Sequence, residues 1–380
     1  MKEAPKVLTS GIDTIVISVD VGWTDRNFFE YLTELKKKAK DQDQELPGMM
    51  KGIENEDGWL FLLKPFGAKG YEWILSGKEF TMRIGKWMEP KSRPSVIVDI
   101  RSETLWRKGP KESCERILML IENNGGIILK VRSSRTDLCL DIMISDKIWS
   151  LGLINNLTRR ANKILLVLGQ ANSLETLQVG VKGKIIGRMY DKELEIKQKS
   201  KKKWMYGIWG IEKCEEGKKI IRVEFELKRD ALKELGMGDL IEFFRRCDEV
   251  WSYCTRKWMK FERNKEEHHR KRETLEWWKV VQNGFLGVQD ASPAIREKAI
   301  KEDADQLRNQ IVGYTTSLTA LVLDKYEIGP EEKISFKDCI NSVMYAYEAN
   351  GNSINDFQKL LIKKRAKYLR TLNSNINCKS

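Results

Sequence analysis

Short segments in which apolar and polar residues alternate recur through the first two-thirds of this 380-residue chain. Clear examples are IDTIVISVDV (12–21), KIIGRMYDK (184–192) and IIRVEFELK (220–228). Alternation with a period of two residues is typical of β-strands that have one buried and one solvated face. Helical spacing interrupts this pattern at 28–41 and 112–123. The sequence therefore predicts an α+β fold on a mainly antiparallel sheet with flanking helices.

The strand pattern stops near residue 230. Residues 240–281 contain neither Gly nor Pro, and their spacing predicts an almost continuous helix. Further helical segments follow towards the C-terminus. We therefore predict a sheet domain at 1–262 and a helical C-terminal region at 263–380.

Basic residues outnumber acidic ones, which gives a formal net charge of +13 at pH 7. Such an excess favours a polyanionic partner, with nucleic acid the first candidate. The seven cysteines form no CxxC pair, and the N-terminus has no apolar stretch typical of a signal peptide. No segment approaches the ~20 apolar residues of a membrane-spanning helix. We expect a cytoplasmic protein with reduced thiols and no membrane partner.

Three strand segments carry polar side chains at alternate positions, which places those side chains on one face of each strand. If the three strands are neighbours, acids, bases and one phenol converge on a single patch. The alternative is three ordinary strands, each with a solvated side. The polar faces consist of Asp137 and Asp141 in 136–144, of Arg188, Tyr190 and Lys192 in 184–192, and of Arg222, Glu224 and Glu226 in 220–228.

A metal ion, if present, would be held by carboxylates. The two histidines, His268 and His269, are adjacent, so on a helix they point about 100° apart and cannot form a ligand pair. Carboxylates favour Mg²⁺ or Mn²⁺ over zinc. The candidate ligands are Asp137, Asp141, Glu224 and Glu226. On a straight strand the two aspartates lie about 13 Å apart and the two glutamates about 6.6 Å apart, so both aspartates reach one ion only across a bend.

Three blocks on these strands resemble motifs of the replication initiation factor family. They are SRTDLCLD (134–141), GRMYDKELE (187–195) and RVEFELKR (222–229), which are similar to its R-x-D-x-x-x-D, R-x-Y-D/E-K-x-x-E and R-x-E-x-x-L blocks. The family comprises rolling-circle plasmid initiators, mostly of Gram-positive bacteria, and relaxases of some conjugative elements. The blocks occur in the family's order over roughly residues 95–230, and the helical C-terminal third has no counterpart.

The resemblance implies a DNA-nicking and rejoining enzyme that initiates rolling-circle replication. Tyr190 would be the nucleophile, forming a 5′-phosphotyrosyl link and freeing a 3′-OH, with Arg188 and Lys192 assisting and Mg²⁺ or Mn²⁺ polarising the phosphate. The implied partners are origin DNA, single-stranded or cruciform at the nick, a host helicase and a second copy of the chain. Alternatives are a conjugative relaxase with the same chemistry, a non-catalytic DNA-binding regulator, and a metal-dependent nuclease that uses water.

Two basic segments are candidates for DNA contact. Residues 196–204 carry five lysines and no acid, and residues 359–370 carry six basic residues and no acid. The first could instead be a solvated hairpin tip, and the second a C-terminal helix cap. The predicted phosphate contacts are Arg135, Lys199, Lys201, Lys202, Lys203 and Arg222. The tryptophans of the helical stretches, such as Trp251 and Trp278, are expected to pack in a core rather than stack on bases.

Overall fold

The computed structural model describes residues 5–52, 58–90, 92–263, 272–286, 294, 308, 311–317, 335–351, 353, 356–359 and 361. The chain divides into two units, Met1–Arg296 and Glu297–Ser380. This division lies later than the predicted boundary at 262–263. The reason is that two tryptophans form hydrogen bonds across the predicted boundary. Trp251 Nε1 donates to the carbonyl of Val281 at 3.0 Å, and Trp278 Nε1 donates to the carbonyl of Thr255 at 3.0 Å.

The first unit is built on one antiparallel sheet of eleven strands, as the alternating segments predict. The order across the sheet is β2-β3-β4-β5-β6-β1-β7-β12-β11-β10-β9, and a second, small sheet has the order β14-β13-β8. The strands are β1 Lys6–Trp23, β2 Leu46–Met50, β3 Trp59–Leu63, β4 Trp73–Gly77, β5 Phe80–Ile84, β6 Val96–Ile100, β7 Gly126–Ser145, β8 Leu157–Arg159, β9 Ile164–Leu168, β10 Leu174–Val179, β11 Ile185–Asp191, β12 Lys218–Lys228, β13 Met259–Arg263 and β14 Glu273–Thr274.

Helices lie on both faces of the sheet, and α5 (Met205–Trp209) lies on the face that carries the polar side chains. They are α1 Asn27–Asp41, α2 Ser102–Lys108, α3 Pro110–Asn123, α4 Lys192–Glu195, α5 Met205–Trp209, α6 Arg229–Glu234, α7 Leu240–Tyr253 and α8 Glu276–Asn283. Alternate strand residues such as Leu138, Leu140, Val223 and Phe225 form one buried core with side chains of α1, α2, α3, α6, α7 and α8. The other face of the sheet carries the polar side chains, and this division agrees with the predicted faces.

The two longest strands, β1 and β7, lie at the centre of the sheet and pair from Lys6–Met143 to Trp23–Gly126. The pairing is irregular between Ile12 and Thr14. These two residues lie opposite two consecutive residues of β7, so Asp13 between them is an extra residue in β1. A bulge of this kind redirects a side chain and twists the strand. Here it turns Asp13 towards the polar face, where it contacts β12.

The predicted helix at 240–281 is wrong over part of its length. Helix α7 ends at Tyr253, a π-helical turn follows at Cys254–Trp258, and β13 then pairs with β8. Met259 and Phe261 are buried on alternate positions of β13, and Phe261 packs against Trp278 with ring centroids 4.9 Å apart. Tertiary packing thus overrides the local helical spacing. His268 and His269 lie outside the described residues, so the expectation that they form no ligand pair stays a prediction.

The tryptophans of this region are confirmed as core residues. Trp251 and Trp278 are 1% and 0% exposed, and Trp258 and Trp277 are 4% and 6% exposed. In the second unit the described residues include a helix at Phe336–Ala349, which agrees with a helical C-terminal region. The basic segment 359–370 lies mostly outside the described residues. No helix in the described part of the chain is long and apolar enough to cross a membrane.

Candidate functional site

The three polar strand segments are neighbours, as the patch hypothesis requires. Strand β12 lies between β7 and β11 in the sheet. Its register places Glu224 opposite Cys139 on one side and opposite Arg188 on the other. Tyr190 lies opposite Arg222, which in turn lies opposite Asp141. The acids, the arginines and the phenol therefore share one face of three adjacent strands.

Tyr190, Glu224 and Arg188 form a connected triad. The Tyr190 hydroxyl donates to Glu224 Oε2 at 3.0 Å, and Arg188 Nη1 donates to Glu224 Oε1 at 3.1 Å. Arg188 is held in turn, because its Nε donates to Gln178 Oε1 at 3.2 Å and its Nη2 to Glu226 Oε2 at 2.7 Å. A hydroxyl bonded to a carboxylate that a third group orients is the arrangement of an activated nucleophile.

The Tyr190 phenol is strongly held in its neutral form. Burial raises its pKa well above the usual value, the charge of Glu224 raises it further, and the charge of Arg222 opposes both effects. A neutral phenol with a carboxylate partner can pass its proton to that partner as a bond forms, but it cannot ionise beforehand at neutral pH. Any nucleophilic role of Tyr190 therefore depends on Glu224 as the base.

A cavity of about 250 Å³ gives access to this triad. It is lined by Tyr190, Arg188 and Glu224 from the sheet and by the helical segment that follows β11. Gln198 and Lys199 line its outer part and are exposed. The cavity therefore connects the Tyr190 hydroxyl with solvent past a lysine.

Lys192 is close to Tyr190, but it does not lie on the strand. The side chain of Asp191 accepts from the backbone N–H of Leu194 at 3.0 Å, which caps α4 and ends β11 one residue before Lys192. The Lys192 ammonium donates to Glu195 Oε2 at 2.7 Å and lies 5.5 Å from the centre of the Tyr190 ring. Burial lowers its pKa, and the nearby charge of Arg222 lowers it further. Lys192 thus contacts the ring of Tyr190 rather than its hydroxyl.

Arg222 and Asp141 belong to a separate buried network, which corrects two predicted roles. Arg222 is 0% exposed and donates to both oxygens of Asp141, from Nε at 2.7 Å and from Nη2 at 2.8 Å, while Nη1 donates to Asp13 at 2.7 Å. Trp209 Nε1 donates to Asp141 at 2.8 Å. Arg222 is therefore not placed to contact DNA, and Asp141 is not placed to bind a metal with the other acids.

The remaining acids, Asp137 and Glu226, share Arg135. Arg135 Nη2 lies 2.6 Å from Asp137 Oδ2 and 3.3 Å from Glu226 Oε2, and its side chain is 39% exposed. Burial raises the pKa of Asp137 to about 6; Arg135 opposes that shift, and the charges of Glu224 and Glu226 add to it. Arg135 is a predicted phosphate contact, and in this cluster its side chain stays exposed to solvent. Its guanidinium is nevertheless already paired with Asp137.

The predicted metal ligands do not converge as they stand. Their chemistry suits Mg²⁺ or Mn²⁺, but Arg135 and Arg188 bridge Asp137, Glu224 and Glu226, so guanidinium groups take the positions between the carboxylates. Among the residues that the structure describes, no group of three Asp, Glu, His or Cys side chains has the geometry of a metal site. The metal stays a prediction.

The lysine run begins in a helical turn rather than at a hairpin tip, and Lys201, Lys202 and Lys203 follow that turn. Residues Lys192–Glu195 form α4, and Ile196–Ser200 form a π-helical turn. Within the run, Lys202 is half-buried, and its ammonium lies 3.8 Å from Asp13 Oδ2. The exposed lysines are Lys197, Lys199, Lys201 and Lys203. Lys199, Lys201 and Lys203 therefore keep their predicted availability for phosphates, whereas Lys202 is partly engaged by a carboxylate.

Two residues that hold the site were absent from the predicted set. Gln178 on β10 lies opposite Arg188 and orients it. Asp13 holds Arg222 from the bulge in β1. The polar pair Asp13-Thr14 interrupts the alternation of IDTIVISV, and this interruption was the available signal for a bulge.

No protein-family model matches this chain, and no curated protein matches it with significant sequence similarity. The likeness to the replication initiation factor family thus rests on the three blocks and stays a prediction.

Proposed function

We propose that this protein nicks and rejoins one strand of DNA through Tyr190. The observation that carries the proposal is the bond from the Tyr190 hydroxyl to Glu224, which Arg188 orients, at the base of a cavity open to solvent. The same tyrosine is the one that the resemblance to rolling-circle initiators marks as nucleophile.

The chemistry follows from these contacts. The Tyr190 oxygen attacks the phosphorus of a phosphodiester while Glu224 Oε2 takes the phenolic proton. The bond between phosphorus and the 3′ oxygen breaks, the 3′ oxygen takes a proton from solvent, and the 5′ phosphate stays on Tyr190. Attack by a 3′-OH on this link reverses the step and rejoins the strand. The pKa of an exposed phenol lies about 3 units above pH 7, so its ionisation at that pH costs roughly 4 kcal/mol. Burial of Tyr190 increases this cost.

The surroundings support a polyanionic substrate. The chain carries a net charge of +13, and Lys199 lines the cavity that leads to Tyr190. Lys201 and Lys203 are exposed on the segment that follows. Cations at these positions would hold the phosphates that flank the scissile one, and each contact would make binding more sensitive to salt.

The test is whether a covalent protein–DNA adduct forms through Tyr190. The full chain is incubated with labelled single-stranded oligonucleotides that tile the DNA flanking its own gene, and products are resolved under denaturing conditions. The wild-type protein is expected to give a denaturant-resistant adduct, and Tyr190→Phe none, because only the hydroxyl is removed. Tyr206→Phe is the matched control, since Tyr206 also donates to a glutamate, Glu193 Oε1, at 2.8 Å, but lies outside the cavity.

The outcomes separate the alternatives. An adduct formed by Tyr190→Phe would refute Tyr190 as the nucleophile. Nicking without any adduct would indicate a nuclease that uses water. Binding of these oligonucleotides with neither nicking nor adduct would indicate a DNA-binding regulator.

A further inference from the structure

The cavity beside Tyr190 contains side chains that the proposed nicking step does not use. Glu175, Thr176 and Gln198 line it together with the groups described above. In the described part of the chain, none of these three side chains has a hydrogen-bond or ion-pair partner. Glu175 and Thr176 are half-buried, and Gln198 is exposed. All three are therefore available to contact a molecule that enters the cavity.

The position of Glu175 follows from an irregularity in β10. The pairing of β10 with β9 shifts register between Leu174 and Thr176, so Glu175 is an extra residue there. Leu174 is buried in the apolar core, and Thr176 lies directly opposite Tyr190. The bulge turns Glu175 to the same side as Thr176, where both line the cavity. Directly opposite side chains lie about 5 Å apart, so this part of the lining is close to the nucleophile.

Another part of the lining belongs to the π-helical turn Ile196–Ser200, which follows α4. Gln198 and Lys199 are adjacent on this turn, and both are exposed and line the cavity. Lys199 offers a cation to a phosphate, whereas the Gln198 amide both donates and accepts hydrogen bonds. Turns of this kind are frequent at functional sites. A nucleotide in the cavity would therefore meet a cation, an amide and the carboxylate of Glu175.

The Glu175 carboxylate limits which part of DNA can lie beside it. A carboxylate only accepts hydrogen bonds, and it repels the like charge of a phosphate. The donors that DNA offers are the amino and ring N–H groups of its bases, which are accessible in a single strand. Adenine, cytosine and guanine each carry an exocyclic amino group. Thymine carries none, and its one ring N–H lies between two carbonyl oxygens, which a carboxylate repels.

We propose that Glu175 and Gln198 select a base beside the scissile phosphate, and that this base carries an exocyclic amino group. Glu175 accepts from the amino group, and Gln198 bonds the neighbouring ring nitrogen. The cavity of about 250 Å³ has room for one unpaired base. Enzymes that act on single-stranded or extruded nucleotides read bases through contacts of this kind. The base selection rests on the function proposed for Tyr190.

The first test measures the rate of adduct formation. The oligonucleotide that gives the adduct is varied at each of the two bases that flank the nick. At one of these positions we expect the wild type to react about tenfold or more faster with an amino-bearing base than with thymine. Glu175→Gln should reduce this preference to about twofold or less, because an amide also donates to the carbonyls of thymine. Glu216→Gln, an exposed glutamate outside the cavity, is the control with the same charge change.

The second test measures binding without chemistry. Tyr190→Phe cannot form the adduct, and its affinity for the DNA trinucleotides TAT, TCT, TGT and TTT is measured by saturation-transfer NMR. We expect TTT to bind about tenfold more weakly than the other three. Adding Glu175→Gln should remove this difference. Because Glu175 is half-buried and unpaired in the described part of the chain, the substitution should leave the far-ultraviolet circular dichroism unchanged.

The outcomes distinguish the base selection from the function on which it rests. Adduct formation through Tyr190 without a base preference, or with a preference that Glu175→Gln leaves unchanged, would overturn the base selection and leave the nicking proposal intact. A binding preference that depends on Glu175, without any adduct, would support the base selection and refute nicking through Tyr190. Equal binding of all four trinucleotides, without any adduct, would refute both.

Discussion

Replacing Arg222 by methionine should destabilise the first unit strongly at neutral pH. Arg222 is fully buried and makes three charge-assisted hydrogen bonds to Asp13 and Asp141, each of 2.7 to 2.8 Å. Methionine fills similar space but leaves two carboxylates without their counter-charge. Removing one partner of a buried ion pair costs about 3–5 kcal/mol. That loss is a large part of the roughly 5–15 kcal/mol that typically stabilises a folded domain.

The pH dependence of this loss has a definite sign. Burial alone would raise the pKa of Asp13, but the charges of Arg222 and Lys202 more than offset it and hold the pKa well below its usual range. In the wild type, the stability from this pairing is present above the unfolded pKa of aspartate and is lost only at strongly acid pH. Arg222→Met removes the largest charge that opposes burial, so the pKa of Asp13 rises, and the penalty for its charge falls as the carboxyl protonates in acid. The difference in unfolding free energy should therefore shrink as pH falls from 7 towards 5.

Urea titrations at several pH values measure this effect, with tryptophan fluorescence as the probe and a check that the m-value is unchanged. Arg83→Met is the matched control. Arg83 pairs with Asp99 on the same sheet, but their side chains are 23% and 36% exposed, so its loss should cost at most about 1 kcal/mol at any pH. A cost below about 1 kcal/mol for Arg222→Met, or one that does not change between pH 7 and pH 5, would refute the buried-charge argument.

Three further predictions concern the candidate site. Glu224→Gln keeps the size of the side chain but removes the base, so adduct formation should fall by about 10²–10⁴ while oligonucleotide affinity is kept; unchanged adduct yield would remove Glu224 from the mechanism. If the predicted metal takes part, EDTA should abolish adduct formation and Mg²⁺ or Mn²⁺ should restore it; full activity in EDTA would exclude a metal. Replacing Lys199, Lys201 and Lys203 with Gln should flatten the plot of log affinity against log salt by up to about 0.9 per lost contact, whereas merely solvated lysines would leave the slope unchanged.

The faces of the central strands were predictable from the sequence because a period of two residues fixes side-chain direction locally. Tyr190, Arg188 and Glu224 lie on one face of adjacent strands as predicted. The adjacency itself was not predictable, because β7 and β12 pair across a long stretch of chain that the local pattern does not describe. The sequence therefore indicated which residues could lie together, and the strand order of the fold shows that they do.

The roles of individual polar residues were harder to predict, because burial depends on what covers a strand. Arg222 and Asp141 lie on the predicted face, yet α5 covers them with Trp209, which turns surface charges into a buried network. Lys192 was assigned to the strand because it continues the alternation of Arg188 and Tyr190, but Asp191 caps a helix that begins at Lys192. Both errors arise from contacts with elements outside the strands themselves.

The bond between Asp13 and Arg222 joins residues separated by 209 positions along the chain. During synthesis, the first strand is complete long before its basic partner leaves the ribosome. Until β12 is made, the carboxylates of Asp13 and Asp141 lack the guanidinium that they share, and the centre of the sheet cannot close around them without burying uncompensated charge. Contacts so distant in sequence also slow folding, since a long loop must close before they form. The nascent chain should therefore keep β1 and β7 open to chaperones until residue 222 has emerged, and truncation before β12 should yield a chain that aggregates rather than a smaller folded domain.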